Sequence, residues 1–348
     1  ILEPSDSQEC KDFVKLAFQI SDKFKIPIIV RTTTRVAHQR AVVRIGKLAS
    51  HRIPSGARFV KDSKRFVTLP PRVLEMKKEL LEKIEKIKDF SENSKINKIY
   101  TGPTRANSGI ITSGVSYLYV MEALKELNLN LPVLKLGFFH PLPEKKIKEF
   151  IKNLKKVLIT EELEPYLEKE LLSLAKQSNC ILEVIGKKLL PETGELKPEM
   201  VIKAIAKFAN CKLKIENSLS IENLKLKIPK RYPRLCLGCP YWLVISAIKK
   251  AVDTKKVIFG GEIGCYMLFG NPPVNLQDYL SCMGSSVGIA HGIKKSTKQK
   301  LITFIGDSSF FHAGIPALIN TVFNKSNPLI IILENQTTAM TGLQPHPG

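Results

Sequence analysis

The chain has 348 residues, of which 44% are hydrophobic and 25% charged. That composition excludes a disordered, collagen-like or low-complexity chain, and the length suits roughly two to three domains. No uninterrupted apolar run reaches the about 18 residues of a membrane span, so no membrane role is expected. Lys and Arg number 54 against 32 Asp and Glu, a formal net charge of +22, and that excess needs a physical account.

The chain opens at Ile1, not Met, with no charged leader or signal-like apolar core, and stops at Gly348 inside a Gly/Pro-rich run. It reads as a piece of a longer protein, cut at both ends. Ser5 or Asp6 can cap a helix running to Phe24, with Phe13, Leu16, Ala17, Ile20 and Phe24 on one face. Pro27 ends it, and Ile28 to Val30 reads as a buried strand. Residues 1–45 therefore look like the end of an α/β domain. Residues 44–70 are basic, proline-containing and irregular, which predicts a surface connection. A charged helix follows over 72–90, and the whole of 46–95 is read as connection plus helix.

Residues 96–210 alternate strand and helix. Strands are predicted at 109–112, 133–136, 156–160 and 181–185, with helices at 117–127, 144–154 and 167–175. That rhythm predicts a parallel sheet with right-handed crossovers. Ser113-Gly114 reads as a structural turn rather than a phosphate loop. Residues 211–234 are Lys-rich and read as a linker. Residues 235–348 are richer in Gly, Cys and Ser and form the last domain. The fold class is thus α/β, with several doubly wound parallel-sheet domains.

Seven cysteines do not make a disulfide framework. Cys10, Cys180 and Cys211 are isolated, and Cys236, Cys239, Cys265 and Cys282 crowd the last domain. This usage fits a reducing cytoplasm, the expected location. The strongest signal lies in the same region. Leu301 to Ile305 is a short apolar strand ending in Gly306-Asp307-Ser308. A helix at 314–323 follows, then the strand 329–333 ending in Glu334-Asn335. Polar residues at the carboxyl ends of neighbouring strands are where open α/β sheets bind ligands. Asp307, the Asn335 amide oxygen and a carbonyl near Thr337 are hard oxygens suited to Mg²⁺, which completes its shell with phosphates and water. The amides of Ser308 and Ser309 near the helix start suit a diphosphate.

Gly306-Asp-Ser followed one unit later by Glu334-Asn resembles the thiamine diphosphate signature, with Ser308 and Glu334 replacing its last glycine and first asparagine. The surrounding text is more specific. Gly306 to Asn320, Asn335 to Gly348, Cys236-Leu-Gly-Cys-Pro240, Gly264-Cys265-Tyr266 and Cys282-Met-Gly284 resemble the alpha subunits of indolepyruvate-type 2-oxoacid:ferredoxin oxidoreductases. Pro4-Ser-Asp-Ser-Gln-Glu9 and Arg31-Thr-Thr-Thr-Arg-Val36 are similar to the end of that family's first, pyrimidine-binding domain. Residues 96–210 are similar to its transketolase C-terminal-like domain.

The resemblance implies oxidative decarboxylation of arylpyruvates with coenzyme A, electrons passing to ferredoxin, and a beta-subunit partner. The implied cofactors are thiamine diphosphate and Mg²⁺, with iron–sulfur clusters in the full-length protein. Asp307, Asn335 and the Thr337 carbonyl would hold Mg²⁺, and Gly306, Ser308 and Ser309 the diphosphate. Gly264, Cys265, Met283, Gly284, Ala339, Met340 and Thr341 would contact the rest of the cofactor. His312 and His346 are the candidate catalytic residues. Cys236, Cys239 and Cys265 are either reduced structural thiols or three ligands of an iron–sulfur cluster, which needs four positions. Tyr241-Trp242 departs from the family's usual His-Arg. The activating glutamate belongs to the largely missing first domain, so this chain alone is expected not to turn over.

The basic excess has three readings: a solvated lysine-rich surface, docking of an acidic ferredoxin, or nucleic-acid binding. The lysines are spread over amphipathic helices and are not interleaved with stacking aromatics, so no nucleic-acid partner is expected.

Overall fold

Phe13, Ala17 and Ile20 recur at helical spacing, and the Asp6 carboxylate accepts from the Glu9 amide at 2.8 Å; together they set helix α1 over Ser7–Phe24. The structure, a computed structural model, describes residues 1–46, 61–103, 106–178, 181–211 and 232–348. The chain divides into two units, Ile1–Ser218 and Leu219–Gly348. The expected linker at 211–234 lies almost wholly outside the described residues, as does the middle of the basic stretch at 44–70.

The first unit is built on five strands: β1 (Lys98–Tyr100), β2 (Ser108–Ser113), β3 (Val133–Leu136), β4 (Lys156–Thr160) and β5 (Glu183–Ile185). Their order is β1-β3-β2-β4-β5, and every pairing is parallel except that of β1 with β3. Between and around them lie α2 (Arg72–Glu92), α3 (Ser116–Glu126), α4 (Glu144–Ile151), α5 (Tyr166–Gln177) and α6 (Pro198–Phe208). Successive strand residues face opposite sides. Ile110, Val133 and Leu158 join one core with Val120 and Ile205 from α3 and α6. Ile111, Leu134 and Ile159 join the other with Ile147 and Leu171 from α4 and α5. Both faces are therefore covered, as a parallel sheet requires.

Two expectations are revised in detail. The helix at 144–154 ends at Ile151. The strand at 28–30 is reduced to one bridge from Val30 to Leu2, which also bridges Phe138. Leu2, Phe13, Ile20, Ile87 and Phe138 share one core, so α1 and the charged α2 pack together. Lys135 lies inside this unit, 1% exposed; its Nζ donates to Ser5 Oγ at 2.9 Å, pairs with Glu9 and sits over the Tyr117 ring.

The second unit has four parallel strands, β6 (Val257–Glu262), β7 (Tyr279–Ser281), β8 (Lys300–Gly306) and β9 (Leu329–Leu333), in the order β7-β6-β8-β9. Its main helices are α7 (Tyr241–Ala251), α8 (Ser285–Ser296) and α9 (Ile315–Phe323). Phe259, Phe269 and Phe304 pack with Tyr241 and Ile245 of α7, while α8 packs against β8 and α9. Both units are thus parallel-sheet α/β structures. Among the described residues, no helix is long and apolar enough to cross a membrane.

Glu3 is the clearest buried titratable group of the first unit, 2% exposed. Its Oε1 accepts from Arg31 at 3.1 Å, while its Oε2 has no partner. Burial pushes its carboxyl up to about 7; Arg31 opposes that, and Glu161 and Glu162 add to it. Between the usual value of 4.5 and about 7, the folded chain keeps a proton that the unfolded chain releases. Stability therefore falls as pH rises through that window. Glu3→Gln is expected to flatten the fall, gaining up to about 3 kcal/mol over the wild type between pH 4.5 and 8. Thermal melts across that range check it, and parallel pH profiles would refute it.

Candidate active site

In the second unit, the connection from β6 runs to β7 on one side, whereas β8 lies on the other. The crevice at the carboxyl ends of β6 and β8 is therefore the topological switch point, where α/β sheets bind ligands. A cleft of about 50 Å³ opens there. Gly306 ends β8 because the chain is crowded at that point: a Cβ would stand 3.0 Å from the Tyr266 ring.

Asp307 follows at the strand tip, 4% exposed. Its Oδ1 accepts from the Ser308 amide at 2.8 Å. Its Oδ2 accepts from the amides of Asn335 at 3.0 Å and Gln336 at 2.7 Å, and lies 3.1 Å from His346 Nε2. Burial pushes this carboxyl up, but the three amides and the His346 ring outweigh it and hold it below the usual range. The link between the tips of β8 and β9 is thus from carboxylate to backbone. The Asn335 amide oxygen takes only a long contact of 3.4 Å from the Thr337 amide.

The segment after β9 folds back over this point. Thr338 pairs with Gln344, and Thr338 Oγ1 donates to Ser308 Oγ at 2.9 Å. His346 stacks near Phe311 with its side chain 2% exposed. Between Asp307–Ser309 and α9 the chain makes a five-residue π-helical turn, Phe310–Gly314, a form common at functional sites. That turn carries His312 to the surface, away from the cleft.

Of the residues singled out by sequence, Gly264, Cys265, Met283, Gly306, Asp307, Ser308, Ser309, Asn335, Thr337, Ala339 and Met340 line the cleft. His346 touches it through Asp307, and Gly284 and Thr341 stand beside lining residues. Tyr241, Ile263, Tyr266 and Thr338 also line it, and sequence reasoning passed over them. Tyr266 lies inside the Gly264-Cys265-Tyr266 motif, whose other two residues were singled out. Among the described residues, no lysine or arginine lines the cleft.

Cys236, Cys239 and Cys265 are free thiols. Burial pushes the Cys265 thiol up, and Cys239 and Cys236 add to it, so the three are electrostatic neighbours. Burial, with Cys265, Asp307 and Cys239 adding to it, pushes Tyr241 up to about 12. Among the described residues, however, no three His, Cys, Asp or Glu side chains converge as a metal-holding group.

Residues 262–348 match the family described as thiamine pyrophosphate enzyme, C-terminal TPP binding domain. The second unit is accordingly a thiamine diphosphate-binding fold. Over its whole length, the chain is 41% identical to indolepyruvate oxidoreductase subunit IorA of Methanothermobacter thermautotrophicus and of Archaeoglobus fulgidus, covering 56% of each. It is 40% identical to the IorA subunit of Pyrococcus horikoshii, covering all of this chain and 57% of that one. The chain is thus similar over its whole length to indolepyruvate oxidoreductase IorA subunits, and it spans little more than half the length of these curated relatives. Among solved structures, 2-oxoglutarate:ferredoxin oxidoreductase from Magnetococcus marinus aligns with a TM-score of 0.39 at 17% identity, covering 59% of this chain and 41% of that one.

Gly284 gives a test of the cleft's far wall. It caps α8 at φ +81, and a Cβ there would stand 2.4 Å from the Ala313 Cβ. Gly284→Ala is expected to destabilise the second unit by about 1–3 kcal/mol. Denaturant unfolding measures this, and an unchanged midpoint would show that the turn relaxes freely.

Proposed function

We propose that this chain supplies the diphosphate- and metal-binding part of a thiamine diphosphate-dependent 2-oxoacid oxidoreductase. Its substrates are arylpyruvates, indolepyruvate among them, with coenzyme A as acyl acceptor and ferredoxin as electron acceptor. The whole-length similarity to IorA subunits supports the class. The observation that carries the reading is electrostatic. The cleft presents a carboxylate and backbone amides but, among the described residues, no cationic side chain. A diphosphate beside Asp307 is repelled unless a divalent cation lies between them.

The residues present fit such an ion. Asp307 offers a carboxylate held by amides, and the Asn335 amide oxygen is engaged only at 3.4 Å. Asp307, Asn335 and the Thr337 carbonyl would hold Mg²⁺. Gly306, Ser308 and Ser309 would cradle the diphosphate, while Gly264, Cys265, Met283, Gly284, Ala339, Met340 and Thr341 would border the rest of the cofactor. When bound, thiamine diphosphate supplies the carbanion stabilisation that decarboxylation of a 2-oxoacid needs.

The chain's own residues do the rest. The amides of Ser308, Asn335 and Gln336 keep Asp307 aimed, and His346 restrains its Oδ2. Tyr241, Ile263 and Met340 give the cleft its apolar lining. His312, exposed on the π-helical turn, contacts none of this. The three thiols stand beside the cleft without forming a closed cage, so no electron step is assigned to them. A beta subunit, and the parts of the longer relatives that lie outside this chain, complete the reaction.

Asp307→Ala in the full-length subunit is expected to weaken Mg²⁺-dependent thiamine diphosphate binding by about 100-fold or more, read by calorimetry. Unchanged affinity would remove the metal assignment. The full-length subunit with its beta partner is expected to reduce ferredoxin faster with indolepyruvate or phenylpyruvate than with pyruvate. A preference for pyruvate would move the protein to another 2-oxoacid class.

A further inference from the structure

Three loops border the cleft: 264–266 after β6, 282–286 leading into α8, and 306–309 after β8. Each is short and glycine-containing, and none holds a cofactor-shaped surface by its own hydrogen bonds. One buried side chain reaches the first two directly and the third through a neighbour. Glu262, the last residue of β6, is 0% exposed. Its Oε2 accepts from the Ser286 amide at 3.2 Å, in the first turn of α8, where the helix dipole favours a carboxylate. Its Oε1 accepts from the Tyr266 hydroxyl at 3.1 Å.

Tyr266 carries the link onward. Its oxygen also lies 3.3 Å from the Ile263 carbonyl and is approached by the Gly306 amide and the Ser309 hydroxyl. Its ring fills the space where a Cβ on Gly264 or Gly306 would stand, at 2.4 and 3.0 Å. The side chain is 3% exposed yet lines the cleft. A buried carboxylate is costly unless its hydrogen bonds are made. Here it is satisfied by the backbone of one cofactor loop and the tyrosine of another.

We infer that Glu262 and Tyr266 are positioning residues: the carboxylate and the phenol act as one unit that holds the three cleft loops in register, so that the Gly306–Ser309 amides meet an incoming diphosphate already arranged. This rests on the proposed cofactor class only for the identity of the ligand. The cross-link itself is a property of the ligand-free chain. Pre-arranged donors cost no reordering on binding, so losing the link lowers affinity without removing a contact to the ligand.

The test uses Tyr266→Phe, which keeps the ring against both glycines, then Glu262→Gln and the double variant, all in the full-length subunit. Without ligand, hydrogen exchange of peptides over 264–266, 284–286 and 306–309 is expected to speed up together in either single variant. Peptides over 249–256 should stay unchanged. With Mg²⁺ and thiamine diphosphate, calorimetric titration is expected to report a loss of about tenfold in affinity for each variant. The double variant should lose no more than either single variant, since both break one link. Faster exchange in only one loop, or additive losses in the double variant, would overturn the inference. Normal binding by both variants beside a binding wild type would overturn it alone. A wild type that does not bind thiamine diphosphate, yet shows the concerted loosening, would overturn the cofactor reading and leave the cross-link standing.

Discussion

A carboxylate at the tip of a buried parallel strand is the constraint from which the second unit's site follows. Asp307 cannot sit bare at 4% exposure, since an unpaired buried charge shifts or disrupts its surroundings. The fold answers with three backbone amides, one local and two from the end of the next strand. Those two fix the separation of β8 and β9 at their tips. The segment carrying Thr338 and His346 then closes over the same oxygen. One side chain thereby organises a strand end, a loop crossing and the floor of the cleft.

Lysine in this unit is sorted by sheet edge. Lys249, Lys250, Lys255, Lys256, Lys294, Lys295, Lys298, Lys300 and Lys325 are all the lysines beyond residue 232. Each lies where a helix ends or a strand begins, at the amino edge of the sheet. Helix C-termini favour cations, and several of these lysines reach free carbonyls: Lys294 that of Gln299, and Lys295 that of Asn324. Glu262, Asp307 and Glu334 occupy the carboxyl edge. The lysines of this unit therefore lie at the end remote from the cleft, which leaves the cleft itself short of positive charge. The lysines are placed too far from the cleft to correct that deficit, which is the electrostatic basis of the metal proposed beside Asp307.

Much of this was legible in the sequence where local pattern and chemistry coincide. The strands at 156–160 and 329–333 are found with the predicted bounds. The apolar run ending in Gly306-Asp307 announced a strand, and its polar tip lines the cleft. Short or edge elements were not legible. β1 is three residues of mixed polarity, held only by its antiparallel neighbour. α6 is mostly apolar, and its Pro198 start marks a helix only beside the packing of Val201, Ala204 and Ile205. Tertiary partnership is what sequence spacing hides. His312 and His346 look equivalent as isolated histidines, yet the π-helical turn exposes one while the returning loop brings the other to Asp307. Nothing in the spacing of Glu262, Tyr266 and Ser286 shows that they meet; their hydrogen bonds are seen only with α8 and β8 in place.

The thiols beside the cleft show how far such a site is tuned toward one state. Burial, together with the nearness of Cys239 and Cys236, keeps Cys265 above its ordinary range. A second negative charge among the three is therefore costlier than the first. Cys265 is thus held toward its thiol form, a weak nucleophile, where it lines the cleft. Asp307 is the mirror-image case a short distance away, already ionised and already surrounded by donors. Two neighbouring groups in one unit thus differ: the Asp307 carboxylate is held ionised by donors, whereas burial holds the Cys265 thiol against ionisation.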